Sequence, residues 1–463
     1  MKTKTIFLLS ICLCTIIGCK KDNILKLPIT YHQGFGPLQS SGGGSITLYN
    51  DDEINPWKKT FLEVSGIPEN WTNAKVGDIN SDIYQYVYQN YHSDHISKQW
   101  YNDLKQMWNW EPDTLNLSKK PLKCRAAFAI GIDSLGNDMV VVDSNNNYDF
   151  SDDKPFIPIE YNSNLDWDSL AKNEAINVTF ERQLKNAKTE FEVPIIITTL
   201  NQDYYLYCNF AQYGTAKLEN QLIFIQSGGF NDSSYKNAGI TIDQGLNGEK
   251  IDSQNLVYNN EYLEIGNDLY KNLGVNRNKD FLLLEKVDLS KNQIDKNLGV
   301  KKGKDFPPSG KTDSTKNQIQ SSQIGFKALD FSGIQFKKQN TISLASLEGK
   351  YVLLDFWATW CGPCIHEIPN LKTLYDKTDK SKFEIIGIVG DSPLSSLEQL
   401  TNKYGINWPQ IVSDNSNKIK EKYGIVAYPT TFLINPEGKI IAKNLRGKEL
   451  ETKIDSLMNK ASR

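Results

Sequence analysis

Between residues 46 and 290 the apolar residues fall in short runs broken by Gly, Asn, Asp and Ser, the pattern of strands rather than helices. "CRAAFAIGID" and "MVVVD" flank the turn "SLGN" and predict a hairpin. "FEVPIIITT", "DYYLYCNF", "QLIFIQS", "AGITID" and "FLLLEKV" predict further strands. One helix is expected over 94–108, where Ile96, Trp100, Leu104, Met107 and Trp108 recur at helical spacing and Ser93 or Asp94 stands ready to cap it. The expected architecture is mainly β, sandwich-like, with at least one helix, in one or two modules.

After about residue 325 the pattern changes. "YVLLDFWA" (351–358) and "FEIIGIVG" (383–390) are continuous apolar runs and read as buried strands. A helix is expected from the cysteines to about 379, kinked at Pro369. A second helix ends at Gly405, and "PTTFLIN" and "KIIAKNL" form a hairpin around "PEG" before a last helix. Strands alternating with helices give an α/β domain. Ahead of it, 291–324 is rich in Pro, Ser, Lys and Gln and reads as a flexible linker. "KNLGVNRNKDF" (271–281) returns as "KNLGVKKGKDF" (296–306), a local duplication, since a solenoid needs three or more units.

The amino end adds a location. "MKTKT" is a basic start, and 6–17 is an apolar run too short to span a membrane. "IIGCK" follows, and the whole resembles a bacterial lipoprotein signal, with Ile16 where the usual pattern has leucine. That resemblance implies cleavage after Gly18 and lipidation of Cys19, against the alternative of an ordinary cleaved signal. Residues 1–18 are then signal and 19–45 a Gly/Ser-rich tether, so the protein is expected in the cell envelope, facing the periplasm or the surface, and held to the membrane by its lipid. With 463 residues two or three domains are expected, and a net charge of −3 gives no electrostatic reason to expect nucleic acid as a partner.

The chemistry lies in "LLDFWATWCGPCIHEIPNL" (353–371). Trp360, Cys361, Gly362, Pro363 and Cys364 stand at the junction of a buried strand and a helix, and in an envelope location a CxxC is redox chemistry before it is a zinc clip. With "GKYVLLDFWATWCGPC" and "HEIP", this stretch resembles the TlpA/ResA branch of the thioredoxin-fold thiol–disulfide oxidoreductases, over 325–463 and nowhere before it. At a helix N-terminus the Cys361 thiolate is stabilised by unpaired N–H groups, which suits it to attack a disulfide, and Cys364 one turn on would resolve the mixed disulfide. Asp355, in an apolar strand, is expected to be buried with a raised pKa and to take the proton from Cys364. The resemblance adds Glu367 as an acid near the pair. It also implies a cis bond before Pro429, which would expose the Tyr428 backbone for pairing with a substrate chain. Gly-Pro between the cysteines resembles the reducing members of the family. No cofactor beyond the Cys361–Cys364 disulfide, and no metal, is implied. Expected partners are envelope proteins with disulfides, apocytochromes c among the candidates, and a membrane electron donor of DsbD or CcdA type.

Other residues carry weaker signals. Zinc would need a second pair of Cys or His ligands, and a peroxiredoxin would carry Thr or Ser where Ala358 stands. His92, His95 and His366 read as surface. Asp143, Asn145, Asn147 and Asp149 alternate as in a calcium loop, but Tyr148 and Lys154 replace its glycine and glutamate, leaving an Asx-rich turn as the alternative. Cys124 and Cys208 are expected to point inward, as core thiols or, the preferred reading in an oxidising location, as a disulfide. Two functions follow: an envelope disulfide reductase whose N-terminal region presents or selects substrates, or a binding or sensor lipoprotein whose CxxC is regulatory.

Overall fold

The computed structural model describes residues 23–460 apart from 39–43, 109, 162–164, 201–202, 228–232, 234, 236, 243–249, 252–255, 289–291, 294–316 and 426. The expected signal with Cys19, most of the expected linker and the second copy of the duplicated stretch lie outside the described residues. Among the described residues no helix is long and apolar enough to cross a membrane.

Among the described residues the N-terminal region builds three sheets of four or more strands. The largest has eight strands and carries the predicted hairpin, Arg125–Ile132 against Asp138–Val142, with Gly136 in the left-handed region (φ +84°) at its turn. Alternation sorts its side chains. Ala126, Phe128 and Ile130 join Val193, Ile195, Ile197 and Phe210 in one core, while Ala127 and Ala129 pack with Val141 and Phe150 on the other face. "PIII" (194–197) is continuously apolar because both its faces are covered, Ile196 meeting Ala171 of a short helix, Trp167–Asn173. Two four-stranded antiparallel sheets pack face to face, Leu282 and Leu284 of one against Ile223, Ile225 and Ile240 of the other.

The start of the tether is not loose chain: Ile24–Pro28 and Thr30–Gln33 are strands, paired with Phe281–Lys286 and Gln212–Leu218. The apolar alternation of "ILKLP" is short, and the Gly/Ser-rich stretch that follows it masks the strand. And the helix expected over 94–108 is the second of two. Helix α1 runs Ile83–His92 and α2 runs Lys98–Met107, each capped by its own side chain, Asp82 onto Tyr84 and Gln85 N–H and Ser97 onto Trp100 N–H. Ser93 and Asp94 belong to the turn between them. With α3 at Trp167–Asn173, the region is mainly strands with several helices.

The C-terminal domain is α/β. Its five-stranded sheet runs in the order Gln410–Val412, Phe383–Val389, Tyr351–Trp357, Thr430–Ile434, Ile440–Lys443, with the first three parallel, Thr430–Ile434 antiparallel to them and Ile440–Lys443 antiparallel to Thr430–Ile434. Helix α4, Gly362–Lys377, follows the central strand and runs unbroken through Pro369. Helices α5, Leu394–Tyr404, α6, Ile419–Lys422, and α7, Gly447–Lys460, complete the layers. The central strand is buried on both faces. Leu353 and Trp357 pack with α4, α5 and α7, while Val352, Leu354 and Phe356 pack with Ile419 and Tyr423. Burying each of these side chains contributes roughly 1.5–3 kcal/mol.

The two parts touch. Tyr262 and Gln323 exchange two hydrogen bonds, 2.7 and 2.9 Å, and the Tyr262 and Phe326 rings stack with centroids 5.6 Å apart. Ile319, Ser322 and Gln323, expected as linker, are therefore built into the contact. Glu261, 2% exposed, accepts from Tyr258 N–H, from Ser322 Oγ and from Lys443 Nζ of the C-terminal sheet, at 2.9, 2.9 and 3.1 Å.

Candidate active site

Cys361 leaves the central strand and becomes the N-cap of α4, with Pro363 in the first turn, where its missing N–H costs nothing. Cys361 Sγ accepts a hydrogen bond from Cys364 N–H at 3.2 Å. The same donor and the helix dipole would stabilise a thiolate there. Cys361 and Cys364 are joined as a disulfide, Cα to Cα 5.2 Å, and both are 4% exposed. Gly362 and Pro363 are exposed over them.

Asp355 is 7% exposed and shares its side of the central strand with Leu353 and Trp357, the side that packs against the cysteines and α4. Burial pushes its pKa up to about 7, the Glu367 carboxylate adds to the rise, and the Arg446 guanidinium opposes it. Glu367 accepts from Gly447 N–H at 2.7 Å and from Asn370 Nδ2 at 3.1 Å, so it also holds the start of α7 beside the site.

The Tyr428–Pro429 bond is cis. The Arg446 guanidinium donates to the Pro429 carbonyl, and Tyr428 Oη donates to Asp391 Oδ2 at 2.9 Å. Asp391 is the hub of this face. Its carbonyl accepts from Trp360 Nε1 at 2.8 Å, and its carboxylate also meets Lys420 Nζ at 2.6 Å. Trp360 is 65% exposed, with its ring edge-on to Tyr428 at 5.9 Å. Beneath, Trp357 Nε1 donates to Gln410 Oε1 at 2.9 Å, and Gly387 leaves room for the Gln410 side chain, which a methyl group there would displace.

All the residues expected at the site in the C-terminal domain, Asp355, Trp360, Cys361, Gly362, Pro363, Cys364, Glu367, Tyr428 and Pro429, come together on this one face. Arg446, Asp391 and Gln410 were not foreseen. Arg446 and Gln410 lie far along the chain in unremarkable contexts, and only Asp391, directly after a buried strand, carried a signal in the sequence.

Residues 324–443 match the AhpC/TSA family. ResA, a thiol–disulfide oxidoreductase of Bacillus anthracis, is 34% identical over 143 residues, which are 30% of this chain and 80% of that protein. The chain belongs to the TlpA/ResA-like thioredoxin family. ResA of Bacillus subtilis is 39% identical over 119 residues, 26% of this chain and 65% of that protein. A thiol:disulfide interchange protein from a Bacteroides species has a solution structure that is 34% identical, covering 30% of this chain and 91% of that one, with a TM-score of 0.28. By its relation to ResA the C-terminal domain is a thioredoxin-like thiol–disulfide oxidoreductase.

Elsewhere the structure separates what the sequence left open. Cys124 and Cys208 are free, and they are buried in different cores, Cys124 against the helix pair and Cys208 within the large sheet. The disulfide preferred from the location is not formed. Burial pushes both thiols well above their ordinary range, so neither competes with Cys361 in exchange. In the acidic loop both Asp143 oxygens accept backbone N–H groups, from Asn147 and Tyr148, and Asp152 takes the Asn145 and Asn147 amides. That is the Asx-rich turn. His92, His95 and His366 are exposed.

Proposed function

We propose that this protein reduces disulfides in extracytoplasmic proteins with the Cys361–Cys364 dithiol, from an envelope location to which Cys19 ties it by a lipid. The observation that carries the chemistry is the Cys361 sulfur seated on the N-terminus of α4. In its reduced form the Cys361 thiolate attacks one sulfur of a substrate disulfide. A mixed disulfide forms, and the substrate's other sulfur leaves as a thiolate that takes a proton from solvent. Cys364 then gives its proton to the Asp355 carboxylate and attacks Cys361 Sγ. The protein disulfide closes and the second substrate sulfur departs as a thiolate that takes the proton back from Asp355 or from solvent, so two electrons and two protons in all reach the substrate. Asp355, with a pKa near neutrality, suits that transfer at either side of pH 7. Glu367 tunes it, and the cis Pro429 with Tyr428 presents backbone to the substrate chain. A dithiol on a membrane electron donor of DsbD or CcdA type would restore the pair, and apocytochromes c are one class of substrate that fits.

The test is a trap. Cys364→Ser in the full chain, expressed in its host, should hold substrates on Cys361 as mixed disulfides. A small, reproducible set of envelope proteins supports the reading. No adduct beyond the electron donor, with the protein exported, would overturn it in favour of a regulatory CxxC.

A further inference from the structure

The C-terminal end of α2 reaches the redox face. Met107 and its C-cap Trp108 line a cleft of about 600 Å³ whose opposite wall is Thr359, Trp360, Pro393 and Leu400. The volume lies within the ~300–1,000 Å³ of built ligand sites. Both walls are fixed. Trp360 is held upright by the Asp391 carbonyl and the Tyr428 ring, and Trp108 stands edge-on to Tyr84 at 5.9 Å with Trp110 behind it. The Glu261–Lys443 node and the Tyr262–Phe326 stack set one part against the other. Met107, Trp108, Trp360, Pro393 and Leu400 give the cleft its apolar surface, Thr359, Ser396 and Gln399 are neutral, and the one carboxylate in the lining, Asp391, is already paired with Lys420.

Trp360 immediately precedes Cys361 and is 65% exposed, so the cleft it lines opens beside the path of a chain that brings a cysteine to Cys361. We infer that the N-terminal region supplies the far wall of a substrate cleft. It selects protein disulfides whose reactive cysteine is flanked by a large apolar side chain, with Met107 and Trp108 as the specificity-determining residues. The inference rests on Cys361 being the attacking sulfur. It gives the N-terminal region a contact with the substrate itself, which a spacer would not have.

The experiment compares two disulfide-closed peptides of equal ring size, one with leucine and one with serine beside the reactive cysteine, reduced by the full chain. The native protein should favour the leucine peptide by roughly tenfold in kcat/KM, mainly through KM, as burial of one apolar side chain gives. In Met107→Glu and in Trp108→Ala that ratio should fall toward one. A second readout survives a folding defect in either variant. A photo-crosslinker at position 107, with the leucine peptide trapped on Cys361 in Cys364→Ser, should join the peptide to α2. Equal native rates for the two peptides, an unchanged ratio in Met107→Glu, or a trapped peptide that does not crosslink would each overturn the cleft while leaving the redox reading intact. Failure to reduce either peptide would instead overturn the redox reading and the cleft with it.

Discussion

At the scale of single residues, Asp355 carries the sharpest consequence. A carboxyl raised from 3.8 to about 7 binds a proton in the folded chain that it has lost in the unfolded one. Stability therefore falls as pH rises from about 4 to 7, and above 7 the full cost, on the order of 4 kcal/mol, is present. Asp355→Asn should raise the midpoint of thermal unfolding at pH 8 and leave it unchanged near pH 3.5. The same variant should slow the resolving step by about 10²-fold at neutral pH, measured by stopped-flow on a model disulfide. A midpoint that rises equally at both pH values would mean that the carboxyl is not the source. Asp355, both cysteines and Pro429 were legible because a strand and the helix after it carry the chemistry in one short stretch, with the proline placed by resemblance. Arg446 and Gln410 were not. Each acts across space on a group from another element, and nothing in its own neighbourhood marks it.

At the scale of elements, α1 shows why a helix can hide from periodicity. Its buried positions include Gln85, Gln89 and Asn90, so no apolar stripe announces it. These amides stand in for a strand. Gln85 exchanges hydrogen bonds with the Ser118 N–H and carbonyl, both 2.8 Å, and Gln89 does the same with Leu122 at 2.9 and 3.2 Å. Gln85→Ala would leave two buried backbone groups unsatisfied, and should cost on the order of 2–3 kcal/mol in urea unfolding. A loss under half a kilocalorie would show that water takes over the role. The strands were easier to read, because "CRAAFAIGID" and "PIII" state their burial by alternation and by continuity. The α2 start slipped by one turn because Ile96 fits the helical spacing, yet it lies in the turn before the Ser97 cap.

At the scale of the whole molecule, the buried Glu261 makes the two parts depend on each other. Lys443→Met would leave that carboxylate without its cation, at a cost of about 3 kcal/mol. Calorimetry of the native chain should then give one cooperative transition and the variant two, the redox domain melting apart from the rest; a single transition in both would show that the node does not couple them. No sequence pattern could place this contact, since Glu261 and Lys443 are 182 residues apart. The pairing of Ile24–Pro28 with Phe281–Lys286 was equally unreadable, and it sets the topology of the chain. Ile24 lies opposite Glu285 and Pro28 opposite Phe281, so the chain enters and leaves the N-terminal region at neighbouring points. Everything between is a closed excursion that adds nothing to the distance from residue 23 to the redox domain. Such an arrangement has the geometry of an insertion: its two ends lie side by side in one sheet, and Glu261 and Tyr262, which lie between them, dock it onto the redox domain.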